Sequence, residues 1–385
     1  MKIAYFSDTF LPSINGVVTS ICNSSRLLAA RGHEVTIFAC TPRGAMPEKF
    51  RDDVRVVYFP RVGAAFYPGF DLARPLLFRL FLALCKSRPD VVHIHTPGPL
   101  GWSAITSAKI LRIPIISTYH TMLPDFMGHV PIPNLEKSRI AKRAAWTYTR
   151  RFHRRCDATI APSESMQTEL EGQRLPNVVT ISNGVDINDF GPSPEKQAEK
   201  KFRALHVGRL SYEKNIDNVI RAFKLFSEKH DAVLQIVGAG PEAENLKALA
   251  AELNANVEFS GKVSHEELIS AYNSADVFVT ASTVETEGIV VLEAMACGLP
   301  VVGVQARALT SLVENGKNGF ISEPDNIPAL ANCLAMVYEK GKPAFSEAAR
   351  RTAIEHSLDK SIDKIEILYK QLAAQKPKGF FEAWF

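Results

Sequence analysis

The 385-residue chain is poor in cysteine and has no long apolar run. Its six cysteines include no CxxC pair, which excludes a thiolate zinc site and a disulfide framework and favours a reducing compartment. No window of about 18 apolar residues is uninterrupted, so we expect no membrane-spanning helix. The start, MKIAYFSDTF, has Asp8 within its apolar run and predicts a first strand rather than a signal peptide. We therefore expect a cytoplasmic protein.

The composition is that of a folded globular protein with two domains. Apolar residues make up 46% and charged residues 22%, which excludes a disordered or fibrous chain. The length exceeds what one hydrophobic core usually supports. The net charge of +4 is uneven, with +8 in residues 1–194 and −4 in the remainder. An anionic partner is therefore expected at the first half only.

Short apolar runs alternate with amphipathic stretches along both halves of the chain. The first half contains KIAYFS, EVTIFA, VRVVYF, VVHIHT, IPIIST, ATIAPS and VVTISN, and the second contains ALHVGRL, AVLQIVGAG, VEFSGKV, DVFVTAS, PVVGV and GFISEP. Runs that are apolar throughout are typical of strands covered on both faces by crossover helices. The pattern predicts an α/β protein with two doubly wound, Rossmann-like domains, 1–185 and 186–359, facing a central cleft. A last helix, about 360–385, is expected to pack back on the first domain.

The segment GAGPEA follows a strand and precedes a helix, so a dinucleotide site has to be weighed. Glu258 stands at a suitable distance for a ribose carboxylate, but it alternates with Val257 and Phe259 inside its strand. The unit also lies in the middle of the chain. We therefore favour a tight strand–helix turn and keep a nicotinamide dehydrogenase as the weaker alternative.

Arg209 and Lys214 follow a strand and stand just before a helix. Two cations at the carboxyl edge of a strand, beside a helix N-terminus, suit a diphosphate group. Fixed cations there would stabilise the charge that develops as such a group leaves. The alternative is a pair of solvated loop residues, and it is the better interpretation of these two residues taken alone.

Glu285 precedes Gly288, which is expected to begin a helix, and Glu293 lies inside that helix. A carboxylate in the loop and one within the helix could accept hydrogen bonds from two sets of ligand hydroxyls. Glu293 stands among apolar residues, where an unpartnered carboxylate is costly, and this favours a functional role over a helix-capping or solvated one.

Several segments together resemble a known enzyme family. VGRLSYEKN, VGAGPE, FSGKV and ETEGIVVLEAMACGLPVV resemble the nucleotide-sugar domain of retaining GT-B glycosyltransferases of family 4. RGHEVTI, PDVVHIHTP, TYHT and NGVD resemble its first half, so the resemblance covers essentially the whole chain. Within the family, TYHT, ETEG and the basic segment described below are similar to diacylglycerol glucosyltransferases and phosphatidylinositol mannosyltransferases.

The resemblance implies four catalytic residues. Arg209 and Lys214 would bind the donor diphosphate, Glu285 would bind hydroxyls of the transferred sugar, and His120 would contact that sugar from the first domain. Taken alone, His120 is only a histidine at a strand end.

The resemblance also implies residues that bind the donor nucleotide. Glu293 would take the ribose hydroxyls, Gly288 and Ile289 would offer backbone N–H groups, and Val263 would help to hold the base. Gly16 would allow close approach of the diphosphate or the acceptor, because it has no Cβ.

Family members of this type retain the anomeric configuration and need no metal or other cofactor. The sequence has no DxD-like pair in a suitable loop, in agreement with this. The resemblance implies front-face displacement, with the leaving diphosphate taking the acceptor proton.

A basic segment in the first half predicts contact with an anionic membrane. Residues 136–155 (EKSRIAKRAAWTYTRRFHRR) predict a helix with Ile140, Ala144, Tyr148 and Phe152 at four-residue spacing among eight Lys and Arg. An apolar stripe that faces the domain core explains the pattern equally well. The apolar segment 66–84 and the C-terminal KPKGFFEAWF support the membrane interpretation.

These observations predict a peripheral enzyme on the inner face of the cell membrane that transfers glucose from UDP-glucose to diacylglycerol. The alternatives are a soluble, phosphatidylinositol or polyprenyl-linked acceptor, with GDP-mannose as a donor, and a catalytically silent nucleotide-sugar-binding protein. No nucleic-acid-reading motif accompanies the basic residues, so we expect no nucleic-acid partner.

Overall fold

The computed structural model describes residues 1–13, 15–42, 50, 53–63, 71–74, 76–120, 122–123, 138–193 and 201–375. The chain divides into two units, one formed by 1–183 with 359–385 and the other by 184–358. The boundary thus lies two residues before the predicted end of the first domain, and the chain returns to the first unit at Asp359.

The first unit is built on a parallel sheet. The described strands are β1 (Lys2–Ser7), β2 (Glu34–Cys40), β3 (Val54–Phe59), β4 (Arg61–Gly63), β5 (Asp71–Ala73), β6 (Val91–Ile94), β7 (Ile115–Thr118), β8 (Ala158–Ala161) and β9 (Val178–Thr180). Seven of them form one parallel sheet in the order β3-β2-β1-β6-β7-β8-β9, and β4 and β5 form a separate antiparallel pair. All four residues of β6, β7 and β8 are buried, as expected for strands covered on both faces.

Helices connect these strands. They are α1 (Gly16–Ala30), α2 (Leu77–Ser87), α3 (Pro99–Ile110), α4 (Arg139–His153) and α5 (Glu164–Gly172). Three begin at a residue whose side chain accepts a backbone N–H of the first turn: Asn15 for α1, Ser138 for α4 and Ser163 for α5.

The second unit repeats this architecture. Its strands are β10 (Phe202–Val207), β11 (Ala232–Val237), β12 (Val257–Gly261), β13 (Val277–Val279), β14 (Val301–Val304) and β15 (Gly319–Ser322). They form one parallel sheet in the order β12-β11-β10-β13-β14-β15. The helices are α6 (Ile216–Ser227), α7 (Ala243–Glu252), α8 (His265–Ser274), α9 (Ile289–Ala296), α10 (Leu309–Leu312), α11 (Ile327–Lys340) and α12 (Pro343–Glu355).

The last described helix, α13 (Leu358–Gln375), packs on the first unit. Arg31 lies 3.0 Å from Asp359 and 2.6 Å from Asp363. The hydroxyl of the buried Tyr369 lies 2.6 Å from the Nδ1 of His93 on β6. The remainder of the predicted last helix, with the aromatic residues of KPKGFFEAWF, lies outside the described residues.

The predicted fold class is confirmed. Each of the apolar runs named from the sequence contains a strand, and both sheets are parallel with helical connections. In β12 burial alternates along the strand, as the position of Glu258 between Val257 and Phe259 predicted, because β12 is the edge strand of its sheet.

Candidate active site

Lys214 and Glu285 form a largely buried ion pair in the second unit. Lys214 Nζ lies 2.6 Å from Glu285 Oε1, and the two side chains are 22% and 15% exposed. Lys214 ends the short 3-10 turn Tyr212–Lys214 that follows β10, and Glu285 lies in the loop after β13. Since β10 and β13 are parallel neighbours, their carboxyl ends bring both loops to one edge of the sheet. The structure therefore joins two predicted site residues that are 71 positions apart.

The surroundings of Glu285 favour the ionised form of its carboxyl. Burial opposes ionisation of the Glu285 carboxyl, but the Lys214 ammonium and the Ser282 hydroxyl outweigh it and hold the pKa of Glu285 below its usual value. The site thus presents a fixed cation, which suits a phosphate, and a carboxylate, which suits a hydroxyl donor.

The loop that carries Arg209 and Lys214 is tied to the neighbouring strand end. Asn215, with φ of +48°, closes the 3-10 turn, and its side-chain Nδ2 donates to the carbonyl oxygen of Ala281 at 3.2 Å. Asn tolerates this left-handed conformation better than most residues. Arg209 is exposed in the same loop, five residues before Lys214.

The glycines of the GAG segment are required by the packing of two turns. A Cβ on Gly238 would lie 1.8 Å from the carbonyl oxygen of Gly208, and a Cβ on Gly240 would lie 2.1 Å from that of Leu210. Glu258, the other element of the dinucleotide interpretation, pairs with Arg203 at 2.7 Å. These contacts favour the tight strand–helix turn over a dinucleotide site, because packing accounts for the glycines and Glu258 pairs with Arg203.

Gly288 is the N-cap of helix α9 and adopts a left-handed conformation with φ of +78°. The N–H groups of Val291 and Leu292 both donate to the Gly288 carbonyl oxygen, so the helix is hydrogen-bonded from its first turn. The backbone N–H groups at the start of the helix, before Val291, have no carbonyl partner within the helix, and such groups favour anions. Gly288 and Ile289 lie at the start of this helix, and their predicted role as backbone donors to the nucleotide stays a prediction.

Glu293 lies in the second turn of α9, between buried neighbours. The hydroxyl of Tyr272, on α8, donates to Glu293 Oε2 at 2.8 Å. Burial raises the pKa of Glu293 to about 7, although the Tyr272 hydrogen bond acts in the opposite direction. The Glu293 carboxyl therefore has a protein partner, the Tyr272 hydroxyl, which the sequence did not reveal.

Val263 follows β12 and precedes Ser264, which caps α8 with a reciprocal capping box to Glu267. Its side chain is partly buried against the core around α9. Val263 is therefore held in place by packing, and its predicted contact with the base stays a prediction.

In the first unit, His120 follows β7 and pairs with a second histidine. His120 Nε2 lies 3.0 Å from His95 Nδ1, and the two rings are stacked. Burial lowers the pKa of His120 to about 3, so its ring is neutral at neutral pH. His93 lies beside them with its ring centroid 4.3 Å from that of His95. The predicted histidine is thus part of a cluster of three.

Gly16, the other predicted residue of the first unit, is the first residue of α1 and is exposed. Asn15 caps the helix through a hydrogen bond from the Val18 N–H at 3.0 Å. The loop after β1 therefore ends at an accessible helix N-terminus.

Three residues near these positions were not identified from the sequence. Tyr272 lies within an amphipathic helix, and His206 and His95 lie within or directly after apolar runs. All three fit the pattern of ordinary core residues, so the sequence offered no signal. His206 Nδ1 lies 2.9 Å from the Val279 carbonyl oxygen, and burial lowers the pKa of His206 to about 4.

The described part of the basic segment forms α4, and its buried face differs from the predicted stripe. Ala145, Thr149 and Phe152 are buried, whereas Ile140 is 83% exposed and Tyr148 is 40% exposed. The predicted apolar stripe of this helix is therefore neither wholly buried in the core nor wholly exposed on the surface. The first turns of the helix present an apolar side chain among exposed basic ones.

Within the residues that the structure describes, no helix is both long and apolar enough to span a membrane. Nor does any set of three His, Cys, Asp or Glu in them lie close enough together to hold a metal ion. Metal independence stays a prediction.

Two family models match the chain in succession. Glycosyltransferase Family 4 matches residues 14–189, and Glycosyl transferases group 1 matches residues 190–354. The border between the two matches lies close to the division between the two structural units.

The chain is similar over most of its length to curated glycosyltransferases. It is 32% identical to the GDP-mannose-dependent alpha-mannosyltransferase of Mycobacterium tuberculosis, over 93% of each chain. It is 31% identical to the alpha-monoglucosyldiacylglycerol synthase of Acholeplasma laidlawii, over 83% of this chain and 84% of the other.

Solved structures show the same fold. Sucrose-phosphate synthase from Thermosynechococcus elongatus matches with a TM-score of 0.80 and 21% identity, over 97% of this chain and 99% of the other. Anabaena HepE in complex with UDP-glucose matches with a TM-score of 0.75 and 21% identity, over 96% of this chain and 100% of the other. The chain therefore belongs to the family 4, group 1 glycosyltransferases and has their GT-B fold.

Proposed function

We propose that the protein is a peripheral-membrane enzyme of the cytoplasm that transfers glucose from UDP-glucose to diacylglycerol with retention of configuration and without a metal. The observation that carries the proposal is the Lys214–Glu285 ion pair at the edge of the second sheet. Glu293, eight residues after Glu285, supplies a second carboxylate from the adjoining helix.

The ion pair suits a site that exchanges partners when a nucleotide sugar binds. The donor diphosphate competes for the Lys214 ammonium, and Arg209 adds a second cation. Glu285 is then released to accept hydrogen bonds from hydroxyls of the hexose. Lys214 and Glu285 thus pair with each other before binding and with the donor afterwards, so that no charge is buried and unpaired in either state.

The reaction breaks the bond between the sugar C1 and the diphosphate oxygen and forms one between C1 and the acceptor oxygen. Negative charge develops on the leaving diphosphate, where Lys214, Arg209 and the N–H groups of Gly288 and Ile289 stabilise it. The proton of the acceptor hydroxyl passes to the leaving phosphate oxygen, so no protein base is required.

The remaining assignments follow the resemblance. Glu293 accepts the ribose hydroxyls, and Val263 packs against the base. His120, as a neutral imidazole, hydrogen-bonds a sugar hydroxyl. Gly16 lets a ligand approach the start of α1.

A lipid acceptor is supported by the surface of the first unit. Helix α4 exposes Ile140 together with Lys142, Arg143 and Arg151. Helix α2 exposes Leu77, at 46%, and Phe78, at 75%. Apolar side chains among cations favour an interface with anionic lipid. The Acholeplasma laidlawii relative is an alpha-monoglucosyldiacylglycerol synthase, which supports the same acceptor.

A donor panel tests the reaction. UDP-glucose, UDP-galactose, UDP-N-acetylglucosamine and GDP-mannose are each incubated with the enzyme and vesicles of diacylglycerol and phosphatidylglycerol, and products are identified by mass spectrometry. We expect glucosyldiacylglycerol from UDP-glucose. Release of UDP without a glycolipid product would contradict diacylglycerol as the acceptor but would be consistent with UDP-glucose as the donor.

Vesicle flotation tests the membrane surface separately. A variant with Lys142, Arg143 and Arg151 changed to Glu should lose most of its binding to anionic vesicles. The matched control changes three exposed lysines of the second unit to Glu (Lys247, Lys262 and Lys317) and should float as the wild type does. Equal loss in both variants would show a general charge effect, and no loss in either would contradict the docking surface.

A second candidate keeps the site and changes both substrates. The Mycobacterium tuberculosis relative is a GDP-mannose-dependent mannosyltransferase of similar identity, which favours GDP-mannose with a phosphatidylinositol, polyprenyl-linked or soluble acceptor. Mannosyl transfer in the same panel, with inactivity towards UDP-glucose, would select it. A catalytically silent binding protein predicts neither product nor donor hydrolysis above a Lys214→Ala control.

A further inference from the structure

Glu293 has one hydrogen-bond partner among the residues that the structure describes, and that partner is Tyr272. The phenol donates to Oε2 at 2.8 Å, so Oε1 remains available to a ligand. Glu293 is itself partly buried, and the residues before and after it in the helix, Leu292 and Ala294, are fully buried. One carboxylate oxygen is thus held by the protein and the other is presented.

The Tyr272 ring is itself fixed. It is fully buried, packs edge-on against Phe190 with ring centroids 5.9 Å apart, and lies tilted against Phe278 with centroids 6.3 Å apart. Its hydroxyl also lies 3.3 Å from the Val290 carbonyl oxygen. The single phenolic hydrogen therefore has two acceptors, and the carboxylate is the nearer and the more strongly attracting one when it is ionised.

Two cations lie near Cys297, one turn after Glu293 in the helix, and both bind backbone carbonyl oxygens. The Lys342 ammonium donates to the carbonyl oxygen of Ala275 at 3.0 Å, and Arg350 donates to those of Phe190 and Ile187 at 2.7 and 2.9 Å. Burial raises the pKa of the nearby Cys297 thiol to about 12, so this group is neutral. Burial and the adjacent carboxylate raise the pKa of Tyr272 well above its usual value, so the phenol stays a donor.

We infer that Tyr272 is a positioning residue of the donor site, which holds Glu293 through Oε2 so that the ionised carboxylate faces the ribose hydroxyls with Oε1. The inference rests on the proposed role of Glu293. A purely structural phenol would affect stability alone, whereas this one affects nucleotide affinity and its pH dependence.

Tyr272→Phe keeps the ring and removes the hydroxyl. Because the Tyr272 hydrogen bond favours the ionised form, its loss should move the midpoint of pH-dependent UDP binding upward from about pH 7. We expect UDP affinity at pH 7 to fall about 5- to 10-fold and the donor KM to rise in parallel, with kcat changed less than about twofold. Calorimetric UDP binding between pH 5.5 and 8.5 measures this. Tyr338→Phe, a half-exposed phenol of the same unit, is the matched control and should behave as the wild type does.

Glu293→Gln separates the two possible failures. If Glu293→Gln binds UDP as the wild type does at every pH, the proposed role of Glu293 is wrong. If it binds weakly with a flat pH profile while Tyr272→Phe keeps the wild-type affinity and midpoint, the role of Glu293 stands and the inference about Tyr272 is overturned.

A measurement on the intact enzyme covers the case in which Tyr272→Phe does not fold. With 3-fluorotyrosine incorporated at the nine tyrosines, one 19F resonance should titrate near pH 7, shift on addition of UDP and cease to titrate in Glu293→Gln. The absence of any such resonance would equally overturn the inference.

Discussion

Replacing Lys214 with Met should destabilise the protein and abolish its activity, and the two effects can be separated. Removing one partner of a buried ion pair costs about 3–5 kcal/mol, because the other charge stays buried. With side chains 22% and 15% exposed, water relieves part of this cost, so we expect about 2–3 kcal/mol. For a domain of this size the loss corresponds to a decrease of about 5–10 °C in melting temperature.

The destabilisation should depend on pH in a defined direction. In the wild type, the pKa of Glu285 is below its ordinary value of 4.5. Its contribution to stability is therefore complete above pH 4.5 and is lost as the pH falls through the folded-state pKa. In Lys214→Met, the ammonium no longer offsets burial, so the pKa of Glu285 rises and the penalty is relieved as the pH falls. The difference in melting temperature should be widest at pH 7–8 and should narrow towards pH 4.

The double variant Lys214→Met/Glu285→Gln removes both charges and provides the control. It should recover most of the stability at pH 7.5 but no more than about 1% of wild-type transfer, because the diphosphate has lost its cation. Differential scanning calorimetry and a donor-turnover assay measure the two properties. Wild-type stability of Lys214→Met at pH 7.5 would refute the electrostatic reasoning, and activity in the double variant would refute the site.

Two further predictions concern the scaffold. Gly238→Ala should lower the free energy of unfolding by more than about 3 kcal/mol, since its Cβ would lie 1.8 Å from the Gly208 carbonyl oxygen. Gly172→Ala, with no atom within 4 Å of its Cβ, should leave that free energy unchanged. Equal melting temperatures of the two variants would contradict the steric account. Tyr369→Phe removes the 2.6 Å hydrogen bond to His93 and leaves a buried imidazole nitrogen unsatisfied. The free energy of unfolding, measured by urea denaturation, should therefore fall by about 1–2 kcal/mol. An unchanged midpoint of urea denaturation would contradict the role of α13 in stabilising the first unit.

The apolar runs predicted the framework of the molecule closely, since strands buried on both faces need apolar residues throughout and have few other solutions. The same property limited the prediction of the site. Tyr272 and His206 occupy positions that any core residue could fill, and only the fold reveals that one hydroxyl reaches Glu293 and that one imidazole is buried beside the Val279 carbonyl.

The sequence also did not reveal which residues far apart along the chain are in direct contact. Lys214 and Glu285 were each identified, but their direct contact depends on β10 and β13 being neighbours in the sheet. In helix α4 the sequence pattern was regular but predicted the wrong buried face. Its four-residue spacing suggested one apolar stripe. The structure buries Phe152 and exposes Ile140, since the strip of the helix that contacts the core passes through Ala145 and Thr149.

The most direct test of the central claim is the transfer of label from UDP-[14C]glucose to diacylglycerol-containing vesicles by the wild type and by the folded Lys214→Met/Glu285→Gln variant. The account predicts chloroform-soluble label with the wild type and background counts with the variant. Equal transfer by both proteins would show that the Lys214–Glu285 pair is not the donor site, and the absence of lipid label with the wild type would contradict glucose transfer to diacylglycerol.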